Sequence, residues 1–473
     1  MKKILITLLF SVVLVSCQSD DQYEDLNRDP KNPTKVAADF LFNSATKSLV
    51  DQMTSTNVNT NIFRLLGQYW TETTYTDEAN YDFNGRNITQ NHWSEMYRDV
   101  LLDLKTAKSI VDADVSLSAS EKEARKAQAE VLMIYTWQQL VDSFGDIPYS
   151  EALGESTLPK YDDAATIYED LIVRLDAAIP SLGTGFGSSD KIYGGNVVAW
   201  KKFANSLKLK LGIRLSDVNP TLSAATVSSA INGGVFTSNA DNASFKYEGA
   251  NPNTNPVWNS LVESGRSDFV AANTIVDIMN TLNDPRRSVY FKQNVGPNTY
   301  KGGVYGATSN FANNSQVGES MHNPSNPACL IDFAEVSFFL AEAAERSFVG
   351  TPADAEMHYN NGITASFDYW NVTGVSDYIS KPEVAYTTAA GTWKQKIGNQ
   401  FWLAMYNRGF EGWTVWRKYD TPIFNIPADS GNPVPTRYTY PVNEQNLNPT
   451  NWKAASTAIG GDNQTTKIFW DIN

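Results

Sequence analysis

The most constraining feature of the 473-residue sequence is a helical apolar period that recurs, with breaks, along most of its length. Between Gly195 and Ser216, residues Trp200, Phe203, Leu207, Leu211 and Leu215 return at intervals of three and four, with Lys201, Lys202, Lys208 and Lys210 between them. Such spacing predicts an amphipathic helix with one buried and one wet face. From Ala119 to Phe144 the stripe is Met133, Trp137, Leu140 and Phe144, and Ser120 three residues before Glu123 has the spacing of a capping box. A third helix is expected over Phe333, Val336, Leu340 and Ala343; after Gly350, Thr351 and Pro352 then open the next helix with Asp354 completing its cap. Helix, short break and helix again, without a strict internal repeat, predicts helix pairs stacked side by side. The expected fold class is therefore mostly α, a helix-pair scaffold carrying long irregular loops and a few short strands. The loops are expected at 233–262, 290–331 and 421–452, which are rich in Asn, Gly, Pro and aromatic residues.

The N-terminus has another pattern. Lys2 and Lys3 precede an apolar run from Ile4 to Val15, the layout of a secretory signal, and the run is shorter than the roughly 20 residues needed to span a bilayer. It stops at Leu14-Val15-Ser16-Cys17, which resembles a lipobox, so Cys17 is the expected lipidation site and 1–17 the removed or modified signal. Two or three acyl chains, at about 0.8 kcal/mol per buried CH₂, would anchor the chain without a spanning helix. Residues 18–35 are polar, contain Pro30 and Pro33, and read as a flexible stalk; the ligand-binding body is expected over 36–473. The acidic start, Gln18-Ser19-Asp20-Asp21, resembles a surface-export signal of lipoproteins of the Bacteroidetes.

Charge excludes one class of partner. Without Lys2 and Lys3, 36 basic residues face 52 acidic ones, a net charge of -16 and a poor match to nucleic acid phosphate. With Cys17 lipidated, Cys329 has no disulfide partner and reads as a small core residue. His92, His322 and His358 stand at no zinc-binding spacing, and no nucleophile elbow or phosphate-binding loop occurs. The turn at Gly183, Gly185 and Gly187 reads as a flexible loop. No catalytic residue and no cofactor is assigned, and the sequence leaves open whether a calcium ion supports one of the loops.

Several motifs, in order, resemble the SusD/RagB family of nutrient-binding outer-membrane lipoproteins. They are Asn27-Arg28-Asp29-Pro30, Gln68-Tyr69-Trp70, the Phe144–Tyr149 segment FGDIPY, and Tyr193-Gly194-Gly195-Asn196 leading into Trp200-Lys201-Lys202-Phe203. They continue with Asn283-Asp284-Pro285-Arg286, the 334–344 segment AEVSFFLAEAA, the 411–417 segment EGWTVWR, and Arg437-Tyr438-Thr439-Tyr440-Pro441 with Asn443-Glu444. The resemblance implies tetratricopeptide-like helix pairs with a ligand site on irregular loops, exposure on the outer-membrane surface, and delivery of ligand to a SusC-like TonB-dependent transporter. It carries over no individual ligand residue.

Site candidates therefore come from loop aromatics with polar neighbours. A pyranose presents a C–H face that stacks on a phenol or indole, while its hydroxyls need amide, guanidinium or carboxylate partners. Tyr75, Tyr81, Phe83, Trp258, Tyr300, Tyr305 and Phe311 are the candidate rings, and Asn255, Arg266, Asp268, Asn310 and Asn314 the candidate polar groups. Trp137, Trp200, Phe203, Trp413 and Trp416 lie on apolar stripes and are expected in the core. An oligosaccharide or polysaccharide is the expected ligand; a peptide or other nutrient taken by the same machinery is the alternative. A protein-binding helical-repeat adaptor and a glycoside hydrolase are further readings.

Overall fold

The computed structural model describes residues 36–83 and 85–472; the signal, Cys17 and the stalk lie outside them. The first elements are α1 (Ala38–Thr54), α2 (Phe63–Leu66), β1 (Trp70–Glu72) and α3 (Ile88–Ser94), followed by a π-helical stretch Glu95–Leu101 and α4 (Leu102–Ala113). The long α5 (Ala119–Phe144) ends at Gly145, whose φ of +84° suits glycine, and leads through the two-residue strands β2 (Ile147–Pro148) and β3 (Tyr161–Asp162) to α6 (Ala164–Ala178). Next come α7 (Val197–Arg214), α8 (Pro220–Gly233), β4 (Ser244–Phe245), α9 (Pro256–Trp258), β5 (Phe269–Ala271), α10 (Asn273–Thr281) and α11 (Arg287–Tyr290). The C-terminal part holds β6 (Ala328–Cys329), α12 (Phe333–Glu345), α13 (Ala355–Tyr369), α14 (Val375–Ile379), α15 (Trp393–Ala404), α16 (Gly409–Tyr419), α17 (Val442–Leu447) and α18 (Pro449–Ala458).

Successive helices pack as pairs: α4 with α5, α7 with α8, α12 with α13, and α15 with α16, while α12 also packs on α7 and α15 and joins the pairs into one scaffold over Ala38–Asn473. The mostly helical class is as expected. Among the described residues, strands occur as three antiparallel two-stranded ladders, β1 with β5, β2 with β3 and β4 with β6. Among the described residues no helix is long and apolar enough to cross a membrane.

Several local expectations need correction. The capping box of α5 is formed by Ser118 and Glu121, not Ser120 and Glu123: Glu121 N donates to Ser118 Oγ at 3.3 Å and Ser118 N to the Glu121 carboxylate at 2.8 Å. Both pairs have the same spacing, and the helix starts at the earlier one because Ser118 is the residue with extended backbone. The cap of Thr351 on Asp354 is as read. Helix α7 has no wet lysine stripe at 208 and 210. Helices α5, α6, α8 and α12 pack around it, and Lys208 and Lys210 are buried against carboxylates. Residues 442–452 of the third loop region are mostly helical, in α17 and the first part of α18, with Pro449 opening the latter. The glycine-rich turn is held on α5: Phe186 N donates to Gln128 Oε1 at 2.9 Å, and a Cβ on Gly185 would stand 2.1 Å from that side chain. Trp137, Trp200, Phe203 and Trp413 are buried, whereas Trp416 is half-buried and stacks on Phe424. Cys329 is a free thiol in β6, half-buried, with its pKa pushed by burial to about 12.

The scaffold core contains charge as well as hydrocarbon. Lys210 reaches Glu335 at 3.2 Å and also contacts Glu411; Arg214 contacts Glu411 at 3.2 Å and Asp142 at 3.5 Å; Arg408 contacts Glu335 at 2.6 Å. Burial raises the pKa of Glu411, but Lys210, Arg408 and Arg214 outweigh it and hold the carboxyl down at about 2. This explains the charged residues in the motif segments 334–344 and 411–417: Glu335 and Glu411 tie α12 and α16 to α7.

Candidate ligand-binding cleft

The β1–β5 ladder creates a cleft by joining two distant loops. Glu72 pairs with Phe269 at its end, and the chain continues the contact through Thr73, whose N donates to Asp268 O at 2.9 Å and whose hydroxyl donates to Ser267 O at 2.6 Å. The segment after β1 is thereby set against 264–269, and residues 56–59 after α1 close a third side. The resulting cleft holds about 300 Å³. Its walls include Tyr75, Arg86, Arg266 and Asp268, together with Asn57, Asn59 and Asn259.

Tyr75 is 71 % exposed and has φ of +55°, a left-handed conformation costly for a bulky side chain. Asn259 begins a π-helical turn, Asn259–Glu263, that brings amide and hydroxyl groups to the wall. At the rim, Arg266 Nε donates to Asp268 Oδ2 at 2.5 Å. Deeper, Arg86 Nε donates to the Glu78 carboxylate, and Glu72 accepts from Ala79 N at 2.9 Å. Burial first, and the adjacent Glu78 second, push the Glu72 pKa up to about 9. Rings, amides, hydroxyls and forked cationic donors therefore converge on one concavity.

A family model described as "Starch-binding associating with outer membrane" matches residues 30–441. The chain belongs to the SusD-like family. Solved structures agree with the SusD-like fold. A chitin-binding protein is 25 % identical with a TM-score of 0.77, over 92 % of this chain and 100 % of its own. A SusD homologue from Bacteroides uniformis is 26 % identical with a TM-score of 0.78, over 92 % and 100 %. A chitin-binding SusD homologue from Flavobacterium johnsoniae is 24 % identical with a TM-score of 0.78, over 92 % and 99 %. No curated protein sequence matches the chain.

Within this SusD-like body the sequence candidates separate. Tyr75, Arg266 and Asp268 are brought together in the cleft. Trp258 is half-buried immediately before the lining residue Asn259. Tyr81, Phe83 and Tyr305 are core residues instead: Gln68 Nε2 donates to the Tyr81 hydroxyl at 3.0 Å, the Tyr305 hydroxyl donates to Leu65 O at 2.8 Å, and Phe83 packs on Tyr438. Asn255 is also spent internally, capping α9 by accepting from Val257 N at 2.8 Å and donating to Asn326 O at 2.8 Å. Tyr300 and Phe311 are half-buried outside the cleft lining; Arg287 lies over the Tyr300 ring. Asn310 accepts from Ala312 N and Asn313 N, and Asn314 donates to Asn310 O, so this pair shapes its own turn.

Sequence reasoning missed Arg86, Glu72 and the residues at 56–59. The neighbouring candidates Tyr81 and Phe83 are core residues, and Arg86 itself is held by Glu78, eight residues before it, on the segment that the β1–β5 pairing sets against 264–269. Among the described residues, no group of three or more His, Cys, Asp or Glu side chains is arranged to hold a metal ion.

Proposed function

We propose that this SusD-like protein is a surface lipoprotein that captures a glycan in the Tyr75 cleft and hands it to a SusC-like TonB-dependent transporter, without catalysis of its own. In this reading residues 1–17 are the signal ending at lipidated Cys17, 18–35 the stalk and 36–473 the ligand-binding body. The observation that carries the glycan part is the exposed Tyr75 ring, held out by a left-handed backbone over a cleft of about 300 Å³ lined with amides and arginines. A pyranose C–H face stacks on the ring, and its hydroxyls meet Asn57, Asn59, Asn259 and Arg266. The family's description as starch-binding and the chitin-binding relatives support a sugar ligand, and the family's association with the outer membrane supports the location.

Calorimetric titration of the lipid-free chain, residues 18–473, with maltoheptaose, laminarihexaose, chitin hexasaccharide and mixed oligopeptides tests the ligand class. Heat from a glycan and none from peptides is expected; the reverse result replaces glycan with peptide capture. Labelling of cells with palmitate tests the anchor, with label expected on the wild type and absent from Cys17→Ala. Co-purification of a TonB-dependent barrel with the intact lipoprotein tests the partner, and its absence under gentle extraction counts against delivery.

A further inference from the structure

The inference rests on the glycan reading and concerns which glycans the cleft admits. Its charges are matched locally. Arg266 and Arg86 each direct Nε to a carboxylate of the chain itself, Asp268 and Glu78, and among the described residues no partner is bonded to their Nη nitrogens. The remaining carboxyl, Glu72, is buried beside Glu78, whose Oε2 is itself buried without a hydrogen-bond partner, and burial first and Glu78 second push the Glu72 pKa up to about 9. At neutral pH Glu72 is therefore the protonated, uncharged acid. Arg86 is thus left to face Glu78, as Arg266 faces Asp268. The cleft is electrically neutral within a chain of formal charge -14.

We propose that the cleft selects uncharged glycans and rejects polymers bearing uronate or sulfate groups, because each guanidinium already has its own carboxylate. A hydroxyl can accept from a free Nη without disturbing either pair. An anionic group must instead compete with Asp268 or with Glu78, and drawing Arg86 away would strand a carboxylate whose side chain is only 1 % exposed.

The test is affinity electrophoresis of residues 18–473 through gels containing neutral polymers (starch, laminarin, xylan, levan, glycol chitin) and anionic ones (hyaluronan, alginate, polygalacturonate). The expected result is retardation by at least one neutral polymer and by no anionic polymer. Asp268→Asn, which frees the exposed Arg266, is expected to gain retardation by an anionic polymer at low ionic strength, about tenfold at most, and to lose it in 0.5 M salt as screening predicts. Wild-type retardation by an anionic polymer equal to or above that by every neutral one overturns the selectivity while leaving glycan capture intact. Wild-type selectivity with no gain in a folded Asp268→Asn protein overturns the charge-pairing explanation. Free migration through all gels removes the glycan reading and the inference with it.

Discussion

The ion pairs around Glu411 and those around Arg266 use the same chemistry in opposite surroundings. At Glu411 burial is complete, every cation is shared among several carboxylates, and the network ties α7, α12 and α16 together. At Arg266 the side chain is 62 % exposed and its guanidinium meets one carboxylate through one nitrogen. Charge inside the helical scaffold is thus consumed by architecture, whereas on the loops each charge is matched singly and hydrogen-bond donors remain available to a ligand. Glu72 lies between these extremes, buried like the first group and lining the cleft like the second.

Substitutions should separate the two regions. The largest effect is expected from Glu411→Ala, which takes one of two carboxylates from each of the buried Lys210 and Arg214; chemical denaturation should show a loss of about 3–5 kcal/mol. A loss below about 1 kcal/mol would mean the network is not structural. Tyr81→Ala, in the core, should cost about 3 kcal/mol of stability. Tyr75→Ala should leave unfolding within about 0.5 kcal/mol of wild type and weaken a bound glycan roughly tenfold, the loss of about 1.4 kcal/mol of stacking. Comparable destabilisation by both would erase the distinction drawn between these two tyrosines.

The pH response of Glu72 gives a smaller effect. Its pKa rises from 4.5 to about 9 on folding, so the folded state favours the protonated acid. The stabilisation is present in full below about pH 4.5 and is lost as pH rises through about 9. Glu72→Gln removes this titration, so its melting temperature relative to wild type should increase between pH 5 and pH 9. A difference that stays constant over that range would contradict a protonated Glu72. The smallest effect is expected at Asp268→Asn, whose exposed pairing should change stability by less than about 1 kcal/mol, measured by thermal unfolding.

The scaffold was legible because helix periodicity, caps and glycine stops are local signals: Gly145 ends α5 and Thr351 caps with Asp354 as their neighbours in sequence dictate. Local signals misassigned Lys208 and Lys210, since a lysine between apolar residues reads as exposed unless its distant partners are known. The cleft was only partly legible for the same reason. Tyr75 and Tyr81 are both tyrosines six residues apart in one loop region, and both have positive φ, yet Tyr81 turns into the core against Tyr305 while Tyr75 faces the cleft. That choice depends on residues more than 190 positions away, joined to this loop by the β1–β5 ladder. Arg86 entered the cleft by the same route, without any motif to announce it.

The central claim, that Tyr75 is the platform of a glycan site, is tested most directly by affinity electrophoresis of Tyr75→Ala beside wild type in a gel containing the polymer that retards the wild type most. Loss of retardation with unchanged thermal unfolding is the predicted result. Retardation of Tyr75→Ala equal to that of wild type would contradict the claim and place the ligand elsewhere on the molecule.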